Sequence, residues 1–426
     1  MKAFAVIGAG FGDEGKGLMT DYLAANLSEK TVIVRFNGGA QAGHTVQTPG
    51  SQRHVFKHFG SGSFAGCSTF LSEFFICNPI LFHEEFTRLN NFNLTPTVYV
   101  HKHAIVSTPY DMMINQIVEE VRNNQRHGSC GVGINETVER NLVEEFSLKF
   151  HELFDRDLLI ARLLHIQQTW VKKRLAIHNI KQVSPAWQTR LDSAGIIEYF
   201  LNEVDFFIKK CTLSDYPILT TFTNVIFEGA QGLLLDEVKG FFPHVTRSST
   251  GIKNIIAIAK SCGISEVEVF YMTRAYLTRH GSGPLPFELK QIPYPNIIDA
   301  TNVPNMHQGA LRFAWLNLDL LQQAIFLDLE DARDELVVRP NLVVTCMDQL
   351  DDQAFVIKEE EMIKLRKDQF LGFIQNSFAG FTLWSNWGPT RDSMVKGVGL
   401  REERSVQTTD YANQGVKKYS HHDKWY

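Results

Sequence analysis

The chain has 426 residues, enough to bury a large core as one big α/β domain or as two smaller ones. Apolar residues make up 44% and charged residues 21%, the proportions of a soluble globular protein. A formal charge of -5 excludes the strongly basic footprint of a dedicated nucleic-acid binder.

The amino terminus starts directly on a strand pattern, "KAFAVIG", which leaves no room for a signal peptide. The longest apolar stretch, residues 70–82, is interrupted by Glu73 and Pro79 and is too short to span a bilayer. Together these predict a cytoplasmic protein without a membrane partner. Cys67, Cys77, Cys130, Cys211, Cys262 and Cys346 contain no CxxC pair, so neither a zinc cage nor a redox motif is indicated.

In chain order, residues 3–8 read as a strand, and Leu18, Tyr22, Leu23 and Leu27 recur at helical spacing after it. "TVIVRF" at 31–36 is β-branched and apolar, hence a second strand parallel to the first. This opening predicts an α/β fold with a mainly parallel central sheet flanked by helices. Ligands in such sheets gather at the carboxyl ends of the strands, where "GFGDEGKG" (10–17) and "NGGAQAGHT" (37–45) both lie. Helix starts follow at Asn78-Pro79, Thr108-Pro109 and Ser184-Pro185, each a capping side chain before a proline. Residues 151–215 read as a mainly helical excursion, and strands return at 224–232, 266–276 and 341–348. The simplest organisation is one domain over 1–405 with a polar tail at 406–426.

Three readings fit the glycine-rich loop. "GFGDEG" matches the dinucleotide fingerprint G-x-G-x-x-G, but the second strand ends in Arg35 and Asn37 instead of the acidic residue that pattern needs. Gly10 to Lys16 matches the spacing of a P-loop, but Gly17 stands where a hydroxyl should meet Mg2+. In the third reading Gly12, Glu14, Gly15, Lys16 and Gly17 form a polyphosphate site at a helix amino terminus, with Asp13 as metal ligand or base.

"GFGDEGKG", "RFNGGAQAGHT" and "FEGAQG" (227–232), in this order, resemble the motifs of the adenylosuccinate synthetase family. "PHVTRSSTG" (243–251), "TRHGSGPLPFE" (278–288), "TCMD" (345–348) and "GPTR" (388–391) resemble further segments of it. The resemblance implies a P-loop-like topology and an NTP-dependent ligase joining L-aspartate to C6 of a purine monophosphate through a 6-phosphoryl intermediate. It implies Mg2+ held by Asp13 and Gly43, and Asp13, His44 and Gln231 as catalytic residues. Gln41, Ser129, Cys130, Thr246 and Arg140 would bind the monophosphate, with Arg140 standing for the arginine that crosses a homodimer interface. Asp348, Gly388 and Pro389 would hold the base of the NTP, and Thr301, Asn302, Gln308 and Arg312 the amino acid.

The departures narrow the resemblance. Cys346 replaces a lysine next to the donor-base aspartate, so ATP or dATP stands beside GTP as donor. Most of the family's arginines near the amino-acid site are absent, leaving Asn302, Asn305, His307, Gln308 and Arg312 to rebuild it. These changes resemble the phage and archaeal branch that acts on dGMP, although that branch often has serine where Asp13 stands. IMP and dGMP are both open as acceptor. A nucleotide sensor without turnover is the alternative from another class, and an NAD-dependent oxidoreductase comes third.

Overall fold

The structure is a computed structural model that describes residues 1–27, 30–122, 131–298 and 310–397. Its centre is a ten-stranded sheet. The strands run, from one edge, Met394–Lys396, Thr382–Asn386, Val337–Thr345, Glu266–Arg274, Lys2–Gly8, Asn224–Gly232, Thr31–Arg35, Ser68–Leu71, Val98–His101 and Cys211–Ser214. Neighbours pair in parallel except at the Met394–Lys396 edge, which is antiparallel. This is the mainly parallel α/β architecture that the opening of the sequence predicts.

The first two strands are parallel but not adjacent. Asn224–Gly232 lies between them, pairing Ala3 with Val225 on one side and Val32 with Val225 on the other. The insertion has a physical basis: eight of its nine residues are buried, so it needs covered faces and a partner on each edge. It also carries "FEGAQG" into the middle of the sheet, between the two glycine-rich loops.

The helix starts read from proline spacing are present. Asn78 Oδ1 accepts the amide of Leu81 at 3.1 Å ahead of helix Pro79–Asn90. Ser184 Oγ accepts the amide of Trp187 at 3.3 Å ahead of helix Pro185–Leu191. Helix Pro109–Arg122 follows Thr108, whose own hydroxyl donates to Asp111 Oδ2 at 3.0 Å. Beyond residue 151, helices Arg156–His165, Val171–Ile177, Pro185–Leu191 and Ala194–Lys210 pack on one apolar cluster with the 98–118 region. A second sheet, built on Tyr276–Arg279, Arg312–Asn317, Gln353–Lys358 and Glu361–Arg366, sits beside the carboxyl end of the Glu266–Arg274 strand.

Arg140 is not a phosphate ligand, which corrects the expectation from sequence. Its side chain is fully buried and its Nε lies 2.9 Å from Asp111 Oδ1. Nη1 donates to the Phe146 carbonyl at 2.7 Å and Nη2 to that of Val106 at 2.6 Å. The guanidinium joins helices Pro109–Arg122 and Ile134–Asn141, and its full burial closes it to a ligand or a second subunit. Removing one partner of such a pair leaves an uncompensated buried charge. Arg140→Met therefore lowers unfolding stability by about 3–5 kcal/mol, read from the urea midpoint. An unchanged midpoint would contradict this placement.

Candidate functional site

Several of the motifs lie at or just beyond the carboxyl ends of parallel strands. Lys2–Gly8 runs into the 9–17 loop, and Thr31–Arg35 into the 37–44 loop. Asn224–Gly232 contributes Glu228 and Gln231, and Glu266–Arg274 leads through Tyr276–Arg279 to His280. Val337–Thr345 ends just before Asp348, and Thr382–Asn386 before Gly388 and Pro389. A cavity of about 660 Å3 opens on one side of this group, lined by Asp13, Gln41, Gly43, His44, Gln231 and Thr246 but not by Lys16, Asp348, Gly388 or Pro389. That volume lies in the range of small-molecule sites, roughly 300–1,000 Å3.

The 9–17 loop is closed from inside by its own carboxylate. Glu14 Oε1 accepts the amides of Gly10 at 3.1 Å and Gly12 at 2.6 Å, and Oε2 meets Lys16 Nζ at 2.9 Å. Lys16 Nζ also donates to the Gly12 carbonyl. Both side chains are buried. The Glu14 side chain is thus a loop anchor and not a phosphate ligand, which leaves only its backbone amide for that role, and Lys16 is committed to the same pair in this state. The packing requires glycine at position 8, where a Cβ would stand 2.5 Å from Glu14 Oε2 and 2.7 Å from the Gln231 carbonyl. Gly15, at φ 87°, caps helix Lys16–Asn26 in the left-handed region. Asp21 of that helix pairs with Arg391 at 3.0 Å, which ties it to the turn that carries Gly388 and Pro389.

Asp13 faces the cavity instead of the loop. Its Oδ2 lies 3.2 Å from His280 Nε2, and its carbonyl accepts from Arg274 Nε. Burial pushes its carboxyl pKa up, but the His280 hydrogen bond and the charges of Arg274, His280 and Lys16 outweigh it, with a net lowering. The carboxylate is ionised at neutral pH and can accept a proton or hold a cation.

His44 is held by Glu228, its Nδ1 lying 2.7 Å from Oε1. Glu228 is fully buried beside Arg35, 3.6 Å away, and accepts the Ser61 amide at 3.0 Å and the Ser61 hydroxyl. An ionised carboxylate only accepts, so Nδ1 carries the hydrogen and Nε2 is left bare. Nε2 is buried and without a partner among the described residues. Burial lowers the His44 pKa despite Glu228, so the ring is neutral at pH 7. A phosphoryl group brought against Nε2 adds negative charge, which favours the imidazolium and makes Nε2 a donor.

Gln231 takes a positive φ of 65° and lines the cavity, and Gln41 buries both amide atoms without a partner among the described residues. Buried polar atoms left this way are places where a ligand supplies the missing bonds. Thr246 lines the same cavity, with its amide donated to Leu235 at 2.8 Å. Asp348 is exposed beyond its strand, as is Pro389, with Gly388 half-buried between the two strand ends.

Arg312 is engaged within the chain. Its Nε donates to Glu288 Oε1 at 2.7 Å, and Nη1 to the carbonyls of Gly281 at 3.0 Å and Gly283 at 2.8 Å. Nη2 reaches Glu288 Oε2. The side chain braces the 281–288 turn, and these contacts compete with any amino-acid carboxylate for its donors. Ser129, Cys130, Thr301, Asn302, Gln308 and the 406–426 tail lie outside the described residues.

Glu228, Arg35, Arg274 and His280 are site residues that the motifs did not single out. Arg35, Glu228 and His280 stand inside the motifs, but Glu228 is distant in sequence from Arg35 and His44, and His280 from Asp13, so spacing carried no signal. The arginines that line the cavity are Arg122, Arg247 and Arg279. Among them Arg247 follows Thr246 directly and pairs with Glu139 at 2.9 Å.

The family model for adenylosuccinate synthetase matches residues 5–350. An adenylosuccinate synthetase of Francisella tularensis subsp. tularensis (strain WY96-3418) is 29% identical over 329 residues, covering 76% of this chain and 74% of that protein. The fully ligated adenylosuccinate synthetase of Plasmodium falciparum superposes with a TM-score of 0.71 at 16% identity, covering 93% of this chain and 100% of that one. The succinoaminodeoxyadenylate synthetase (PurZ) of cyanophage S-2L, solved with dGMP and with dATP as an energy donor, superposes with a TM-score of 0.56 at 15% identity. It covers 93% of this chain and 95% of that one. At such identities both structures speak for the fold alone, while the family model spans most of the sequence. This chain belongs to the adenylosuccinate synthetase family, whose members are NTP-dependent ligases that form C–N bonds.

Proposed function

We propose that the chain joins L-aspartate to C6 of a 6-oxopurine nucleoside monophosphate, dGMP or IMP, at the expense of a nucleoside triphosphate. The observation that carries the reading is the convergence of Asp13, His44 and Gln231 on one cavity from three different strands. A neutral purine 6-oxygen is a poor nucleophile. Asp13 takes the proton from N1, and the released electron pair makes the 6-oxygen attack the γ-phosphorus with loss of the diphosphate. His44 Nε2 faces the moving phosphoryl group, and Gln231 holds the oxygen in line. The amine of aspartate then attacks C6, and inorganic phosphate leaves with the purine oxygen.

The family requires Mg2+, and the donors here suit it: an ionised Asp13 carboxylate and the Gly43 carbonyl border the same cavity. When bound, the cation neutralises charge on the phosphates. Gln41 and Thr246 serve the 5′-phosphate of the acceptor, with Arg247 supplying the charge that Arg140 cannot. Asp348, Gly388 and Pro389 hold the donor base, which is guanine or adenine given Cys346. The active form is a homodimer, with no nucleic acid or membrane involved. A second reading, the ordinary reaction on IMP with GTP, is favoured by the retained Asp13.

Purified protein with Mg2+ and L-aspartate, crossed over IMP and dGMP with GTP, ATP and dATP, yields one succinylated purine by mass. Phosphate release without such a product would reject the reading. His44→Ala lowers kcat by about 10²- to 10³-fold, the effect of losing one donor to a developing anion. Asp13→Ala abolishes turnover while nucleotide still binds in an equilibrium titration, and undiminished turnover would remove Asp13 as the base. Arg312→Ala speeds amide exchange across 281–288, whereas a change confined to the KM for the amino acid would restore its direct role.

A further inference from the structure

A separate group of metal-ligating side chains lies at the far edge of the main sheet. Glu73 follows the Ser68–Leu71 strand, His101 ends the Val98–His101 strand, and His103 stands two residues beyond it. One ligand atom from each of these three falls within 4.8 Å of the others. None of them lines the nucleotide cavity. Asp215 and His151 border the group, Asp215 Oδ1 at 3.0 Å from His101 Nε2 and the His151 ring centroid at 5.8 Å from that of His103.

The hydrogen bonds around the cluster define which lone pairs are available. Glu73 Oε1 accepts the Tyr216 hydroxyl at 2.8 Å, which leaves its second oxygen. The His103 amide donates to His101 Nδ1 at 3.2 Å, so the His101 hydrogen sits on Nε2 and points to Asp215. A bound metal takes the place of such a proton on His101. Asp215 stays outside the group, its Oδ1 accepting the Tyr216 amide as well at 2.9 Å. Lys102 Nζ occupies the other oxygen of Asp215 at 2.5 Å and holds that carboxylate beside the strand end. His151 Nδ1 donates to the Lys102 carbonyl at 2.8 Å, which holds its ring beside that of His103.

We propose that Glu73, His101 and His103 bind one divalent transition metal of the zinc type, with water completing its coordination. Imidazole and carboxylate donors select Zn2+, Co2+ or Ni2+ over Mg2+, which prefers oxygen ligands. The ion is structural. It joins the loop after Leu71 to the end of the Val98–His101 strand and the turn that follows it at the sheet edge.

The test uses the full chain stripped with a chelator and kept in excess Mg2+, so that the nucleotide site is not what is measured. Zn2+ is titrated by calorimetry, and Co2+ by its visible absorption bands. One equivalent binds, and Zn2+ raises the unfolding temperature. His103→Ala and Glu73→Gln each weaken binding by about 10-fold or more and reduce the thermal shift. His83→Ala, at a histidine paired with Glu203 away from the cluster, changes neither. Absence of one-equivalent binding, or binding undiminished in both His103→Ala and Glu73→Gln, would overturn the assignment.

Discussion

The arrangement of the site depends on a carboxylate buried in the middle of the sheet. Glu228 has no access to water and would be costly there unless its oxygens were satisfied. They are, by His44, Ser61 and the nearby charge of Arg35. Burial tends to raise its pKa, but His44 and Arg35 bring it below the usual carboxylate range, so it stays ionised. An ionised Glu228 orients the His44 ring and decides which nitrogen faces the cavity. It also holds the turn at Ser61, against which Gly17 packs at the start of the first helix. One buried charge thus sets the tautomer of the histidine and the seat of the glycine-rich loop together.

The acidic pair Asp13-Glu14 divides its work within that loop. Glu14 turns inward, where its oxygens collect backbone amides that would otherwise point at an anion. Asp13 turns outward, toward His280 and the cavity. Carboxylates are compatible with a phosphate-binding turn because one of them organises it and the other meets a proton or a cation. The contact with His280 leaves Asp13 a second oxygen, so orientation and chemistry need not compete for the same atom.

Much of this was legible in the sequence because it is local. Strand-loop-helix order at residues 3–45, proline-marked helix starts and the glycine-rich segments follow from short-range periodicity and turn chemistry. Long-range pairings were not legible. That Asn224–Gly232 would sit between the first two strands, or that Glu228 would meet His44, depends on sheet order, which spacing does not encode. Arg140 and Arg312 show the same limit from the other side. An arginine in the right stretch of sequence reads as an anion ligand, but each of these found internal acceptors, Asp111 for one and Glu288 for the other. A guanidinium with five donors is satisfied by whichever acceptors the fold brings nearest.

The central claim is that the purine 6-oxygen itself is phosphorylated and then leaves as phosphate. It is tested most directly by following that atom. With the acceptor labelled by 18O at C6, turnover with Mg2+, the triphosphate and L-aspartate should place the label in the released inorganic phosphate. Label found in water, or phosphate released without it, would contradict the account.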